Sequence, residues 1–179
     1  MDTVLVRRFD TALKTLATTI ADRRLYYSQE GTDLVLQTVE DMFDHLQSDL
    51  APYSKALGLS VNRDDDVASI HVSGPDILSV YLEYGREREF TRGKNRLKIF
   101  VGYTYGQPVN SKSIGDPKST SGDVLFREDL LPIFDEERQV LWTDRKTSTQ
   151  QTTKVIVDLV IEQYLKGIET HVEMRRCES

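Results

Sequence analysis

Cysteine is nearly absent from this chain, since Cys177 is the only one among 179 residues. A lone thiol excludes a disulfide framework, so we expect a reducing compartment such as the cytoplasm. Long apolar runs are missing as well. None approaches the ~20 residues that a membrane-spanning helix requires, so we expect no association with a membrane.

The chain also lacks an excess of positive charge. Its formal net charge is −6, and its pI is about 5.1. Proteins that bind nucleic acid through the phosphates, without regard to sequence, carry a basic footprint that is missing here. We expect no sequence-specific nucleic-acid partner either.

Signatures of nucleophilic or nucleotide chemistry are absent from the sequence. It contains no Gly-x-Ser-x-Gly turn and no Gly-x-x-x-x-Gly-Lys-Ser/Thr loop. His45, His71 and His171 lie in different predicted elements, with no second histidine or cysteine at ligand spacing. We therefore expect no cofactor and no metal site, and we expect His71 to face outward on its strand.

Apolar residues recur at intervals of three and four near the N-terminus, which is typical of amphipathic helices. One stripe predicts a helix over residues 3–27, and a second predicts a helix over 32–52. Gly31 is expected to end the first helix, which makes residues 1–57 a helical hairpin. A single continuous helix stays open, because the apolar residues 25–27 can bridge the gap. The two stripes are Leu5, Phe9, Leu13, Leu16 and Ile20, and Val35, Val39, Met42, Phe43, Leu46 and Leu50.

In the middle of the chain the apolar period changes to two, as expected for half-buried strands. Residues 77–85 and 97–105 predict a hairpin with a charged connection. Pro132 is expected to confine residues 130–134 to a sheet edge or to irregular structure. Further strands are predicted at 67–73, 124–126 and 139–143.

The remaining segments complete the predicted fold. Residues 106–123 are rich in Pro, Gly and Ser and predict a long loop, whereas 148–172 predict an apolar C-terminal helix with a frayed end. A chain of this length fills one core. We therefore predict a single α+β domain: an antiparallel sheet of four to five strands over residues 58–145, with the N-terminal helical hairpin and the C-terminal helix packed on it.

Aromatic and basic side chains concentrate around the predicted hairpin. Aromatic residues are enriched where proteins dock, and a basic tip on an acidic protein suits contacts between subunits that meet head to tail. We expect a homo-oligomer that also contacts other assembly proteins. The predicted interface consists of Arg86, Arg88, Phe90, Arg92, Lys94, Arg96, Phe100, Tyr103 and Tyr105.

Two neighbouring segments carry a resemblance to a known family. Two helices precede Ile70-His71-Val72-Ser73-Gly74, which is followed by Ser79-Val80-Tyr81-Leu82-Glu83-Tyr84-Gly85-Arg86. This arrangement resembles the neck or tail-completion proteins of tailed bacteriophages, over about half of the chain. The resemblance implies a structural subunit without enzymatic activity, in a neck or tail-terminator ring at the head–tail junction of a virion assembled in the host cytoplasm.

An enzymatic hypothesis competes with this interpretation. Asp144-Arg145-Lys146 follows an apolar strand and resembles the PD-(D/E)xK nuclease pattern, in which carboxylates hold Mg²⁺ and a lysine helps to activate water. That resemblance implies Asp129, Asp135, Asp144 and Lys146 as catalytic residues. A third hypothesis is a small-ligand-binding domain, because a sheet covered by helices can leave a pocket.

Overall fold

The computed structural model describes residues 3–64, 68–73, 78–85, 96–103, 124–144 and 146–178. Three helices lie in these ranges: α1 (Thr3–Tyr26), α2 (Gln29–Leu57) and α3 (Thr153–Glu178). Seven strands lie between α2 and α3. They are β1 (Ser60–Asp64), β2 (Ser69–Ser73), β3 (Leu78–Gly85), β4 (Arg96–Tyr103), β5 (Val124–Phe134), β6 (Val140–Asp144) and β7 (Gln150–Gln151).

The described strands form one antiparallel sheet whose spatial order is the order of the chain, β1 to β7. The α+β class with an antiparallel sheet is confirmed, but the predicted number of four to five strands is wrong. The sequence pattern missed β1, where Val61 is the only apolar residue, and β7, which has two glutamines and no apolar residue. Neither strand offers an alternation of apolar and polar residues.

The segment around Pro132 belongs to a long strand and not to a separate short one. β5 runs through the proline for 11 residues. Its pairing with β4 ends at Leu130, whereas its pairing with β6 continues from Leu130 to Phe134. Among the described residues, β5 therefore has a neighbour on one side only at Pro132, which is where a residue without an N–H is tolerated.

The central hairpin is confirmed in its described part. β3 and β4 pair from Leu78 opposite Tyr103 to Gly85 opposite Arg96. Every residue of β3 from Leu78 to Tyr84 is buried. Both faces of this strand are thus covered, although its alternation predicted one exposed face.

The core lies between one face of the sheet and helices α2 and α3. Trp142, Tyr164, Phe43 and Met42 are among the largest side chains that are fully buried there. The indole Nε1 of Trp142 donates to Thr153 Oγ1 at 3.2 Å.

A serine separates α1 from α2, which resolves the question of one continuous helix in favour of two. The hydroxyl of Ser28 accepts a hydrogen bond from the N–H of Gly31 at 3.0 Å and donates to the carbonyl of Leu25 at 2.7 Å. The same side chain caps the start of α2 and the end of α1. The prediction that Gly31 ends the first helix is wrong, since Gly31 lies in the first turn of α2.

The ends of α2 and α3 also differ from the predicted bounds. Pro52 was predicted to end α2 but lies inside it, on the exposed side, where the carbonyl that the proline leaves unbonded can bond to water. The helix ends at Leu57 because Gly58 adopts a left-handed φ of 61°. Thr152 caps α3, accepting from the N–H of Val155 at 3.4 Å. The helix continues beyond 172 to Glu178.

Contacts from the edge strand β1 and from the central strand β4 fasten two helices to the sheet. Arg63 on the edge strand β1 forms ion pairs with Glu40 and Asp44 of α2, and its guanidinium lies 5.6 Å from the ring centre of Phe43. On α3, the carbonyl of Gly167 accepts from the hydroxyl of Tyr103 at 2.9 Å. Of the helices described, none combines the length and apolar character needed to cross a bilayer.

Candidate interaction surface

The apolar face of α1 is exposed. Phe9 is 66% exposed, Leu16 55%, Leu13 49% and Ile20 44%. The predicted packing of this stripe against the rest of the domain is wrong. Buried residues of α2 and α3 form the core with the sheet, whereas α1 contributes Leu25 and Tyr26 at its C-terminal end. Four large apolar side chains along one helix form an apolar patch of the kind that marks a docking site.

Only the C-terminal half of α1 lies against the domain. An open cleft of about 540 Å³ separates it from the start of α2 and from the turn that joins β5 to β6. Arg138 in that turn forms an ion pair with Glu30 of α2 at 2.8 Å. The cleft is lined by Ala17, Ile20, Ala21, Arg24, Leu25, Ser28, Glu30 and Arg138.

The exposed helix differs in charge from the rest of the chain. Between Thr3 and Tyr26 the sequence has five basic residues and two acidic ones, whereas the whole chain carries a net charge of −6. Helix α2 is acidic, with six carboxylates and one lysine. The α1 surface is therefore an apolar stripe on a basic helix of an acidic protein. We call this surface, defined by Phe9, Leu13, Leu16 and Ile20, the α1 seam.

Most of the interface predicted from the sequence lies outside the described residues, namely Arg86, Arg88, Phe90, Arg92, Lys94 and Tyr105. Arg96 is described and forms an ion pair with Asp129 at 2.7 Å. Phe100 and Tyr103 were predicted to be on the surface, and that prediction is wrong. Phe100 is 2% exposed and Tyr103 9%, because Phe100 packs with Tyr81 and Tyr103 reaches α3.

The residues of the nuclease hypothesis are not brought together. Asp129 and Asp144 lie on opposite faces of the sheet, since Asp144 pairs with Leu130, the neighbour of Asp129. Asp135 is in the β5–β6 turn, where its carboxylate accepts from the N–H of Gln139 at 2.7 Å. Lys146 follows β6 in the next turn. Across the described ranges there is no group of three or more residues able to hold a metal ion.

The carboxylate of Asp144 has a structural role at the end of β6. It accepts hydrogen bonds from the N–H of Lys146 at 3.0 Å and from the N–H and hydroxyl of Thr147 at 3.3 and 3.0 Å. These bonds, led by the one from Lys146, hold the pKa of Asp144 below its ordinary value. Nearby, burial and then the charge of Asp144 raise the pKa of Glu128.

The sheet face opposite the helices carries a row of polar and aromatic side chains, of which the sequence analysis predicted only Phe100 as a site residue. His71, Tyr81 and Phe100 are directly opposite one another on β2, β3 and β4. The rings of His71 and Tyr81 are 6.2 Å apart and edge to face. Tyr81 donates to the carboxylate of the buried Glu83 at 3.2 Å. Tyr81 and Glu83 alternate along β3 with residues that face the core, and this alternation is the signal from which the row could have been predicted.

His71 lies on the sheet face opposite the helices, which is the outward-facing position expected for it, but other side chains partly cover it there. Its side chain is half-buried, and burial lowers its pKa. Burial, followed by the charge of Glu83, raises the pKa of Tyr81 to about 12. Both rings therefore stay neutral near neutral pH, which suits a structural contact between strands.

Comparisons with protein-family models, with curated proteins and with solved structures find no match to this chain.

Proposed function

We propose that this chain is a structural subunit without enzymatic activity that joins a larger assembly through the α1 seam. The exposure of Phe9, Leu13, Leu16 and Ile20 carries the proposal. Burying a large apolar side chain is worth about 1.5–3 kcal/mol, so a partner that covers the seam gains a substantial part of a binding free energy.

We further propose the assembly to be the neck or tail-terminator ring of a tailed bacteriophage, put together in the host cytoplasm. The described parts of the two segments that carry this resemblance, residues 70–73 and 79–85, lie in β2 and β3, which are adjacent antiparallel strands, and two helices precede them. A ring subunit needs surfaces that remain uncovered in a single copy, and the α1 seam is one such surface.

The geometry favours this proposal over the nuclease. Asp144 bonds to the turn that follows it, Asp135 bonds to a second turn, and Asp129 is paired with Arg96 on the other face of the sheet. Each carboxylate therefore binds a partner of its own, and the three carboxylates do not converge on one centre.

The proposal is tested by measuring the mass of the protein in solution by light scattering. The wild type should be larger than its monomer mass of 20.5 kDa. The Leu13→Glu/Leu16→Glu variant, which puts two charges into the seam, should be monomeric and retain its fold. Thr11→Glu is the matched control, since Thr11 lies on the opposite side of α1 and bonds to the carbonyl of Arg7.

A second measurement addresses the phage assignment. Mass spectrometry of purified virions should detect the wild-type chain and should not detect the seam variant when it is supplied in its place. The proposal would be contradicted if the wild type were a monomer of the same mass as the seam variant and if both entered virions equally.

A further inference from the structure

The exposed apolar residues of α1 follow a heptad pattern. Phe9 and Leu16 occupy position d, and Leu13 and Ile20 occupy position a, because successive members are four, three and four residues apart. Such spacing places the side chains in a narrow line along one side of the helix, as in a coiled coil. The seam is therefore shaped for a second helix that carries a line of the same kind.

Charged residues flank this line at matching distances from its middle. Asp10, Ala17 and Arg24 occupy position e in three successive heptads, so Ala17 lies midway between the two charges. Asp10 and Arg24 are both exposed. In an antiparallel pair of helices, position e of one helix faces position e of the other. A two-fold axis beside Ala17 then brings each Asp10 opposite the Arg24 of the second copy.

We propose that α1 pairs with α1 of a second copy of this chain as a short antiparallel coiled coil, with Asp10 of each copy facing Arg24 of the other. The inference rests on the proposed function, because it names the partner of the α1 seam. In this register Leu16 packs against Ile20 of the second copy. Leu13 packs against the aliphatic stem of Arg23, whose charged end reaches solvent.

The parallel orientation offers no comparable charge pairing. Parallel helices place position e of one beside position g of the other, and Ala12 and Thr19 at position g are uncharged. The threonine hydroxyl is also occupied, since it donates to the carbonyl of Thr15 at 2.8 Å. Complementary charge therefore selects the antiparallel orientation and its register together.

This pairing constrains the assembly. An interface in which both copies use the same surface is isologous, so a closed ring that contains it has an even number of copies and dihedral symmetry. The α1 helices would lie on the two-fold axes of such an assembly.

The experiment exchanges the flanking charges. Asp10→Arg and Arg24→Asp each place like charges opposite one another, so each should raise the dimer dissociation constant by about tenfold, measured by sedimentation velocity at low salt. An equimolar mixture of the two variants should associate about as tightly as the wild type. In that mixture one copy carries two arginines beside the seam and the other carries two aspartates.

Thr11→Arg and Thr15→Asp serve as the control pair, since both positions lie on α1 away from the seam. Each should leave the dissociation constant within about twofold of the wild-type value, and mixing them should give no gain. If the control pair gains as much on mixing as the seam pair, general charge attraction explains the result and the inference is wrong.

Two outcomes separate this inference from the proposed function. If Leu13→Glu/Leu16→Glu disrupts assembly while the charge variants associate like the wild type, α1 docks on another surface and the antiparallel pair is overturned. If the seam variant also leaves assembly unchanged, both the pair and the proposed function are overturned. Unaltered Trp142 fluorescence would confirm that the variants remain folded.

Discussion

Gly31, in the first turn of α2, packs directly against the backbone carbonyl of Leu25 in the last turn of α1, so a side chain at position 31 would overlap that carbonyl. The same side chain would also lie 3.3 Å from the ring of Phe134 on β5. The angle between α1 and α2 is set by this approach, together with the hydroxyl of Ser28.

Gly31→Ala should destabilise the protein, because the methyl group forces the last turn of α1 away from α2. We expect the free energy of unfolding to fall by about 1–3 kcal/mol, as for other overpacked sites, although alanine is the better helix former. Urea unfolding followed by the fluorescence of Trp142 measures the change. Gln29→Ala is the control, since residue 29 is exposed in the same turn. A Gly31→Ala protein as stable as the control would show that the junction is not tightly packed.

Arg63 fastens the edge strand β1 to α2, and its geometry predicts that lysine cannot replace it. The guanidinium contacts Glu40 and Asp44 at once and lies over Phe43. A lysine ammonium keeps the charge but not the planar fork. Arg63→Lys should therefore lose most of the stability that Arg63→Met loses, about 1 kcal/mol for these partly exposed pairs. Equal stability of wild type and Arg63→Lys in urea would refute a role for the fork.

The sequence pattern predicted the elements whose apolar spacing is strong. The α2 stripe from Val35 to Leu50, the β3–β4 hairpin and the apolar part of α3 were all recognisable, because buried faces impose a period of 3.6 or 2. The edge strands β1 and β7 were missed because edge positions bury little and carry no such period.

The exposure of the α1 stripe and the burial of two predicted interface residues were missed for a related reason. Periodicity shows that α1 has an apolar face, but it cannot show whether α2 and α3 have already filled the sheet. Aromatic content likewise pointed to Phe100 and Tyr103, and only the packing against Tyr81 and α3 shows that both are internal. Both errors concern which apolar surface is covered, and that depends on contacts between elements distant in sequence.

Tyr81 is expected to stabilise the fold through the buried carboxylate of Glu83. The hydroxyl donates to that carboxylate at 3.2 Å, and Glu83 is 7% exposed. Tyr81→Phe removes a donor from a buried charged acceptor, which costs about 1–3 kcal/mol. Tyr103→Phe is the matched control, because its hydroxyl donates to the uncharged carbonyl of Gly167. We expect it to cost about 0.5–1.5 kcal/mol.

A double-mutant cycle with Glu83→Gln isolates the interaction of Tyr81 with the charged carboxylate. The loss caused by Tyr81→Phe should be smaller in the Glu83→Gln background, because the acceptor is then neutral. Additive effects of the two substitutions, measured by urea unfolding, would show that the hydrogen bond contributes nothing specific.

His71 makes the stability of this sheet depend on pH. Its Nε2 is buried without a hydrogen-bond partner in the described part of the chain, and burial lowers its pKa below the ordinary value of 6.5. The unfolded chain then binds a proton at a higher pH than the folded protein does. The contribution of neutral His71 to the free energy of unfolding is fully present above about pH 6.5 and is lost as the pH falls toward the pKa of His71 in the folded protein.

His71→Phe removes this titration and keeps an aromatic ring beside Tyr81. The wild type should lose more free energy of unfolding than His71→Phe between about pH 7.5 and about pH 5.5. The difference between the two proteins is the quantity to measure, because both contain Glu128. Its raised pKa acts with the opposite sign and favours the folded state as the pH falls. A parallel pH dependence of wild type and His71→Phe would mean that the folded protein accommodates the imidazolium, and that this face of the sheet opens to solvent.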